Sequence, residues 1–323
     1  MSDRIDLSKP RFDQSTYLGR ARHFLATTDP RLVLASNEQL DAYKALVDAY
    51  RAGKEPAGTT ADEVWEAKRF VDGAFHPDTG EKLFLPGRMS FQVPGNMTVM
   101  GLMLTFYKRT PHVVAMQVLN QTFNAGVNYT NRNASAETSP LQLGVSYVVG
   151  TTTAVSVALG FNKFVARFPA LSAGFVGRLS PLVAVAMANI VNISSMRSSE
   201  LMNGIAVQDE DGNKLGESQI AARSAISQVI ASRIAMAVPA CVIPPLLVSR
   251  AEQTALVRRV PFLTVPLMIG LVGLNLTLST PLCCAIFPQM SSLHVDKLEP
   301  RFHGLKSIKN GDPIERVFFN KGL

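Results

Sequence analysis

Residues 120–133 read NQTFNAGVNYTNRN, and this stretch decides the fold. Asn120, Asn124 and Asn128 recur every four residues, so they lie along one face of a helix. The remainder of segment 112–130 is largely apolar. Because lipid offers no hydrogen-bond partners, an amide face on such a helix is expected to turn toward other helices or a wet cavity. Two interpretations stay open: hydrogen bonds between helices, and a lining for a polar solute.

Composition divides the chain into a charged front and an apolar body. Hydrophobic residues make up 47% of the 323 residues and charged residues only 18%. Residues 1–111 nevertheless hold 15 of the 32 Lys and Arg and 14 of the 25 Asp and Glu. The net charge of +7 comes from scattered Lys and Arg without interleaved aromatics, which favours a membrane surface as partner and argues against nucleic acid.

The front, residues 1–88, carries the signals of short amphipathic helices. Ser36 with Gln39, and Thr60 with Glu63, have the spacing of capping boxes. Apolar residues three and four apart follow each pair, as on a helix that buries one side. We therefore predict a small soluble helical region before the membrane body.

Two polar loops look like ion sites but are better explained as turns. HPDTGEK at 76–82 has the Pro-Asp pair and the glycine of a β-turn, and its histidine has no third ligand nearby. The run DEDGN at 209–213 opens with the spacing of a calcium loop, but its glycine comes too early. A β-hairpin with Gly212 at its turn is the better interpretation.

The body, residues 89–290, is predicted to be a polytopic membrane helix bundle, and the fold class is all-α. Segment 89–107 is apolar but interrupted by Gly and Pro, so we predict a half-helix or an interfacial segment. The polar tail is 291–323. About five spans are expected, several of them broken by Pro, at 112–130, 141–161, 179–195, 224–249 and 261–288.

Basic residues in the loops give an expected orientation. Lys108, Arg109 and the loops 162–178 and 250–260 are rich in Lys and Arg compared with the alternate loops. With five crossings, the positive-inside rule places the front on the same side as these loops and the tail on the opposite side.

Arg233 is the most informative polar residue in the predicted spans. A cation at the centre of a span costs roughly 2.5–3.5 kcal/mol on insertion scales, so it should face the interior. No Asp or Glu lies in any predicted span. The partner is then a backbone carbonyl, an Asn side chain, or the carboxylate of a ligand, which a guanidinium binds well. If the fourth span begins later, Arg233 instead reaches the interface.

The sequence gives little support for metal binding or for covalent catalysis. Cys241, Cys283 and Cys284 lie in apolar segments without a ligand pattern, and the five histidines lie outside the span centres. The body offers no nucleophile–base pair, and the chain has no glycine-rich phosphate loop. We expect no cofactor, no metal and no enzymatic activity.

Seven blocks, in order, resemble the sideroflexin family and together cover essentially the whole chain. They are HPDTGEK (76–82), GRMSFQVPGNM (87–97), NQTFNAGVNYTNRN (120–133), AMANIVNISSMR (186–197), SRIAMAVP (232–239), TPLCCAIFPQ (280–289) and FNKGL (319–323). One departure is Ser194-Ser195, where the family more usually has Ile-Pro, which puts a local kink there in doubt.

The resemblance implies a multi-pass protein of the mitochondrial inner membrane with about five spans. It implies transport of L-serine and other small amino acids into the matrix for one-carbon metabolism, and it links members to iron homeostasis, haem synthesis and assembly of respiratory complexes. The N-terminus is then expected on the matrix side. No cleaved presequence is expected, since Asp residues interrupt the early Arg and Lys.

From the residues themselves we predict a substrate site of one guanidinium and several carboxamides. The guanidinium would hold the carboxylate of serine, and the amides its ammonium and hydroxyl. The alternative function is a non-transporting inner-membrane scaffold or assembly factor that binds other membrane proteins through the front. The predicted substrate-binding residues are Asn120, Asn124, Asn128, Asn189, Asn192, Arg233 and Asn275.

Overall fold

The computed structural model describes residues 4–7, 9–76, 79–130, 140–168, 179–306 and 313–322. Within these ranges the chain is mostly helical, as predicted, and a small four-stranded sheet joins the helices. The front comprises α1 (Tyr17–Thr27), α2 (Asn37–Arg51) and α3 (Ala61–Ala74).

Both predicted capping boxes are confirmed in the front. The Ser36 hydroxyl accepts a hydrogen bond from the Gln39 backbone nitrogen, and the Gln39 side-chain oxygen accepts one from the Ser36 backbone nitrogen. Thr60 and Glu63 make the same reciprocal pair at the start of α3. After α3, Phe75 and Lys82 form a β-bridge, and Gly80 has φ of 68°. The Pro-Asp centre of this predicted turn lies outside the described residues.

The body is a bundle in which successive helices pack antiparallel. Three helical segments among the described residues are long and apolar enough to cross a membrane: Gly144–Ala166, Gln219–Ala251 and Pro261–Cys284. The helix Ser180–Met196 is apolar but shorter. The elements of the body are α4 (Gln92–Thr105), α5 (Thr110–Thr130), α6 (Pro140–Ala166), α7 (Ser180–Met196), α8 (Ser198–Asn203), α9 (Gln219–Ala251), α10 (Ala255–Arg259) and α11 (Thr264–Cys284).

Helix α4 lies inside the bundle, antiparallel to α11. A Cβ added at Gly101 would come within 2.7 Å of Ile269, and one added at Gly273 within 2.5 Å of Met97. The two helices approach so closely because glycine leaves room for the opposing side chain. With 14 residues α4 is about 21 Å long, so segment 89–107 passes through most of the bundle as a half-helix.

Because α4 passes through the bundle, the front and the tail are arranged differently from the prediction. Tyr17 donates to the backbone oxygen of Leu282, and Arg20 donates to that of Ala285. The front therefore lies at the end of α11 from which the tail continues. The structure places front and tail at the same end of the bundle, whereas the sequence predicted opposite sides, because α4 adds a passage through the bundle before the five predicted spans.

Two further contacts show where the front lies relative to the basic loops. Gly87 of the front abuts Thr130 at the end of α5. At the other end of the bundle, Asn162 donates to the backbone oxygen of Tyr107, which precedes Lys108. The front and Lys108 therefore lie at opposite ends of the bundle, whereas the sequence predicted them on the same side.

Four short antiparallel strands close the end of the bundle next to the front, in the order β2-β1-β4-β3. The predicted hairpin is confirmed, with Gly212 at φ of 85° in its turn. Ala221 and Ala225 of α9 pack into the core of the sheet, so α9 extends beyond the bundle. The strands are β1 (Ile205–Gln208), β2 (Lys214–Ser218), β3 (Met290–His294) and β4 (Arg316–Asn320).

Glu299 fastens the sheet region to the start of α9. Its carboxylate accepts from the Ser218 hydroxyl at 2.7 Å and from the backbone nitrogens of Gln219 and Ile220 at 2.7 and 3.0 Å. These nitrogens are the unpaired donors of the first helical turn. Although burial favours the protonated form, the hydrogen bonds hold the pKa of Glu299 below its ordinary value.

We predict that Glu299→Gln lowers the free energy of unfolding by about 1 kcal/mol at neutral pH, because it removes a charged helix cap. A depressed pKa in the folded state stabilises the protein above the pKa of the unfolded carboxyl. That stabilisation is lost as pH falls through the folded pKa. Thermal unfolding followed by circular dichroism, from neutral pH down to acid, measures both effects. The control Glu217→Gln changes an exposed carboxylate and should leave the curve unchanged.

Candidate functional site

A layer of carboxamides lies between α5 and α7, and we name it the amide layer. It consists of Gln117, Asn120, Gln121 and Asn124 of α5 and Asn192 of α7. Only 2% of Gln117, 2% of Gln121 and 7% of Asn120 is exposed. The polar side of α5 therefore faces protein, where its amides find partners that lipid cannot supply.

Among the described side chains, two hydrogen bonds organise the amide layer. The Asn192 side-chain nitrogen donates to Oε1 of Gln121 at 2.6 Å, which joins α7 to α5. The Asn124 nitrogen donates to Oδ1 of Asn120 at 3.3 Å along α5. Gln117 keeps a buried Oε1 with no partner among the described residues. The layer thus has spare hydrogen-bonding capacity at one end.

Gly150 of α6 allows Asn192 to occupy its position. A Cβ added at Gly150 would overlap the Asn192 side-chain oxygen. Glycine at this position therefore lets α6 and α7 approach closely, with the amide held between α5 and α6. The neighbouring Ser146 of α6 is also buried.

The predicted stripe was incomplete. Gln117 and Gln121 belong to the layer, although they were not among the predicted site residues. The sequence signal was present, because positions 117, 120, 121 and 124 follow the i, i+3, i+4, i+7 spacing of one helical face. The side chain of Asn128 lies outside what the structure describes.

A small cavity borders the amide layer. It has a volume of about 10 Å³ and is lined by Gln117 together with Met103, Tyr107 and Ser180 and their neighbours. This is about the room one water needs, and ligand pockets are typically larger than about 300 Å³. The layer is therefore closed in this conformation.

Arg233 lies away from the amide layer. Its guanidinium is close enough to Cys284, the last residue of α11, for an electrostatic interaction. Gln228, one turn and a half earlier in α9, is bonded to Ser291 beyond the end of α11. Arg233 is therefore level with the end of α11 that faces the front, and no described residue accepts a hydrogen bond from it.

The remaining predicted residues are dispersed. Asn189 is half-buried on α7, and no hydrogen bond joins it to another described residue. Asn275 lies on α11, where its buried Oδ1 has no partner among the described residues. The structure thus brings together Asn120, Asn124 and Asn192, and leaves Arg233 and Asn275 on other helices.

Metal binding has no site in the described part of the chain. No three His, Cys, Asp or Glu side chains come close enough there to hold an ion.

Comparisons with known proteins cover nearly the whole chain. A family model described as Sideroflexins matches residues 6–323. Sideroflexin-3 of Mus musculus is 52% identical over 319 residues, which are 99% of this chain and 98% of the relative. Sideroflexin-1 of Homo sapiens is 50% identical over 320 residues, with the same shares covered. No solved structure matches significantly.

We predict that Gly150→Ala destabilises the protein by about 1–3 kcal/mol, because the added methyl group overlaps Asn192. Adding Asn192→Ala should recover part of this loss, since it removes the overlapping amide. Gly160→Ala on the same helix is the matched control, as its added Cβ meets nothing within 4 Å. Thermal unfolding in detergent measures all variants. Additive losses in the double variant would contradict the described packing.

Proposed function

This chain belongs to the sideroflexin family, and from that premise we propose that it is a secondary transporter of the mitochondrial inner membrane. Its substrates are L-serine and similar small neutral amino acids, delivered to the matrix for one-carbon metabolism. The names of the relatives give the family only. The choice of serine follows from the sequence resemblance, and the apolar helices support a membrane location.

The observation that best supports transport is the amide layer. A carboxamide both donates and accepts hydrogen bonds, so it suits an ammonium and a hydroxyl alike. It carries no charge, so it does not trap a zwitterion as a carboxylate or an ammonium would. Gln117, whose Oε1 has no partner among the described residues, offers a first acceptor to a solute.

Because the amide layer is closed in this conformation, transport requires the helices around it to move. The bond between Gln121 and Asn192 joins α5 to α7 across the layer. Such bonds between membrane helices average about 0.6 kcal/mol, so a solute that replaces the bond can open the layer at small cost. We propose alternating access in which α5 and α7 separate on one side at a time.

The positions of the basic residues along the bundle suggest an orientation. Lys108, Lys163, Arg167 and the basic loop 250–260 lie at the end of the bundle away from the front. The positive-inside rule places these loops on the matrix side. We therefore propose that the front and the sheet face the opposite side, which revises the expectation drawn from sequence.

A second candidate function is supported by the front. Leu34 is 84% exposed and Phe84 is 72% exposed. Large apolar side chains on a charged region favour a docking surface, so a scaffold role toward other inner-membrane proteins is the alternative. Effects on iron or haem would be indirect under either function.

We predict that Asn124→Leu and Asn120→Leu each reduce uptake of labelled serine into proteoliposomes roughly tenfold, the effect of losing about 1.4 kcal/mol of binding. Thr122→Val, on the exposed side of α5, is the matched control and should retain uptake. Alanine, cysteine and citrate are measured alongside. Unchanged uptake in both variants would remove the proposed site, and absence of flux through folded wild-type protein would favour the scaffold.

A further inference from the structure

Helix α1 joins the front to the membrane body, and protein covers most of its circumference. Ala21 and Phe24 pack against Ala285 at the end of α11 in a small apolar core. A Cβ added at Gly19 would collide with the backbone oxygen of Asp13, so the chain that precedes α1 covers a second side. Helix α3 contacts α1 as well. These contacts fix the rotation of α1 about its axis and decide which side stays open.

The open side of α1 is apolar apart from one cation. Leu18, Arg22 and Leu25 follow the i, i+4, i+7 spacing of one helical face. Leu18 is 59% exposed and Leu25 is 44% exposed, and Arg22 between them is exposed too. Tyr17, at the start of the helix, is also exposed. Contiguous exposed apolar side chains of this kind mark a surface that contacts a partner.

A stripe of leucines on α11 leads directly to this open face. Leu274, Leu278 and Leu282 recur every four residues, and all three are exposed. The stripe reaches α1 where the Tyr17 hydroxyl donates to the Leu282 backbone oxygen at 3.2 Å. Because α11 is long and apolar enough to cross a membrane, an exposed leucine stripe along it faces lipid. The open face of α1 therefore continues a lipid-facing surface.

The length of α11 places α1 at the boundary of the bilayer. The apolar helical segment Pro261–Cys284 has 24 residues. At 1.5 Å per residue it is about 36 Å long, and the hydrocarbon core of a bilayer is about 30 Å thick. The end of this segment therefore reaches the headgroup layer. The contacts of α1 with Leu282, Cys284 and Ala285 lie at this end.

We propose that α1 is an interfacial helix whose open face binds the bilayer, with Leu18 and Leu25 among the acyl chains and Arg22 at the lipid phosphates. Interfacial helices combine an apolar face with basic residues, and α1 contains no Asp or Glu that an anionic surface would repel. Tyr17 has its ring beside the lipid-facing stripe and its hydroxyl on a backbone oxygen, as suits a tyrosine at a membrane interface.

This assignment moves α1 from the predicted soluble region to the membrane body. It requires that α11 crosses a membrane, and it does not depend on transport of any solute. The partner of the open face is the lipid surface itself, so contact with lipid can be measured directly.

The test uses tryptophan fluorescence of the full-length protein in proteoliposomes. The chain has one tryptophan, Trp65, so Trp65→Phe provides a background without signal. Into this background we place Leu18→Trp or Leu25→Trp as reporters on the open face. Leu278→Trp on the exposed stripe of α11 is the lipid control, and Ala45→Trp at an exposed position of α2 is the water control. Circular dichroism checks that each variant keeps its helices.

Two quenchers distinguish lipid from water around each reporter. Phosphatidylcholine with brominated acyl chains should quench Leu18→Trp and Leu278→Trp and leave Ala45→Trp unchanged, whereas iodide should quench Ala45→Trp most strongly. The emission of Leu18→Trp should lie to the blue of that of Ala45→Trp, because its surroundings are apolar. Quenching by lipid at both α1 reporters indicates a helix parallel to the surface, and quenching at one alone indicates a tilted helix; either result supports the proposal.

The proposal is overturned if brominated lipid quenches Leu278→Trp but neither reporter on α1. In that case quenching of the α1 reporters by iodide would show a face in water, and shielding from both quenchers would show a face covered by protein, such as a second copy of the chain. Absence of lipid quenching at Leu278→Trp would remove the lipid-facing stripe and the proposal with it. Lipid contact at α1 in a protein that carries no serine would refute the transport proposal and leave the interfacial helix intact.

Discussion

Hydrocarbon offers no hydrogen-bond partner, and the structure of the body follows from that constraint. Carboxamides on α5 and α7 would be costly against lipid, so they turn toward protein, and Gln121 accepts a hydrogen bond from Asn192 across the helix interface. Gly150 then supplies the space that brings α6 close enough to cover them. The packing of three helices is thus arranged around polar groups that must be hidden. A polar layer of this kind is also what a polar solute needs in order to cross.

A separate set of contacts holds together the helix ends that lie near the front. Helices α7 and α11 both end near the front, where Arg20 and Arg197 bind backbone oxygens. The final strand brings Lys321 into the same place, and the sheet holds the start of α9 through Glu299. Segments distant in sequence therefore build one end of the bundle.

Sequence reasoning succeeded where the signal is local. The capping boxes at Ser36 and Thr60 and the turn at Gly212 depend on a few adjacent residues, and all three are confirmed. Segment 89–107 was predicted only as a half-helix or interfacial segment, because a helix of 14 residues falls below the length on which span prediction depends. The position of Arg233 along the bundle also could not be predicted from the sequence. It depends on how far α9 extends onto a sheet whose strands come from opposite ends of the body.

We propose that the amide layer is part of a path for solute. Its most direct test places a cysteine at position 121, by Gln121→Cys, in a protein whose native cysteines are replaced by serine. A membrane-impermeant thiol reagent is then applied with and without serine. We expect the reagent to reach the thiol at position 121 through water, and we expect serine to slow this labelling. A thiol that stays unreactive from both sides would show a permanently dry interface and contradict it.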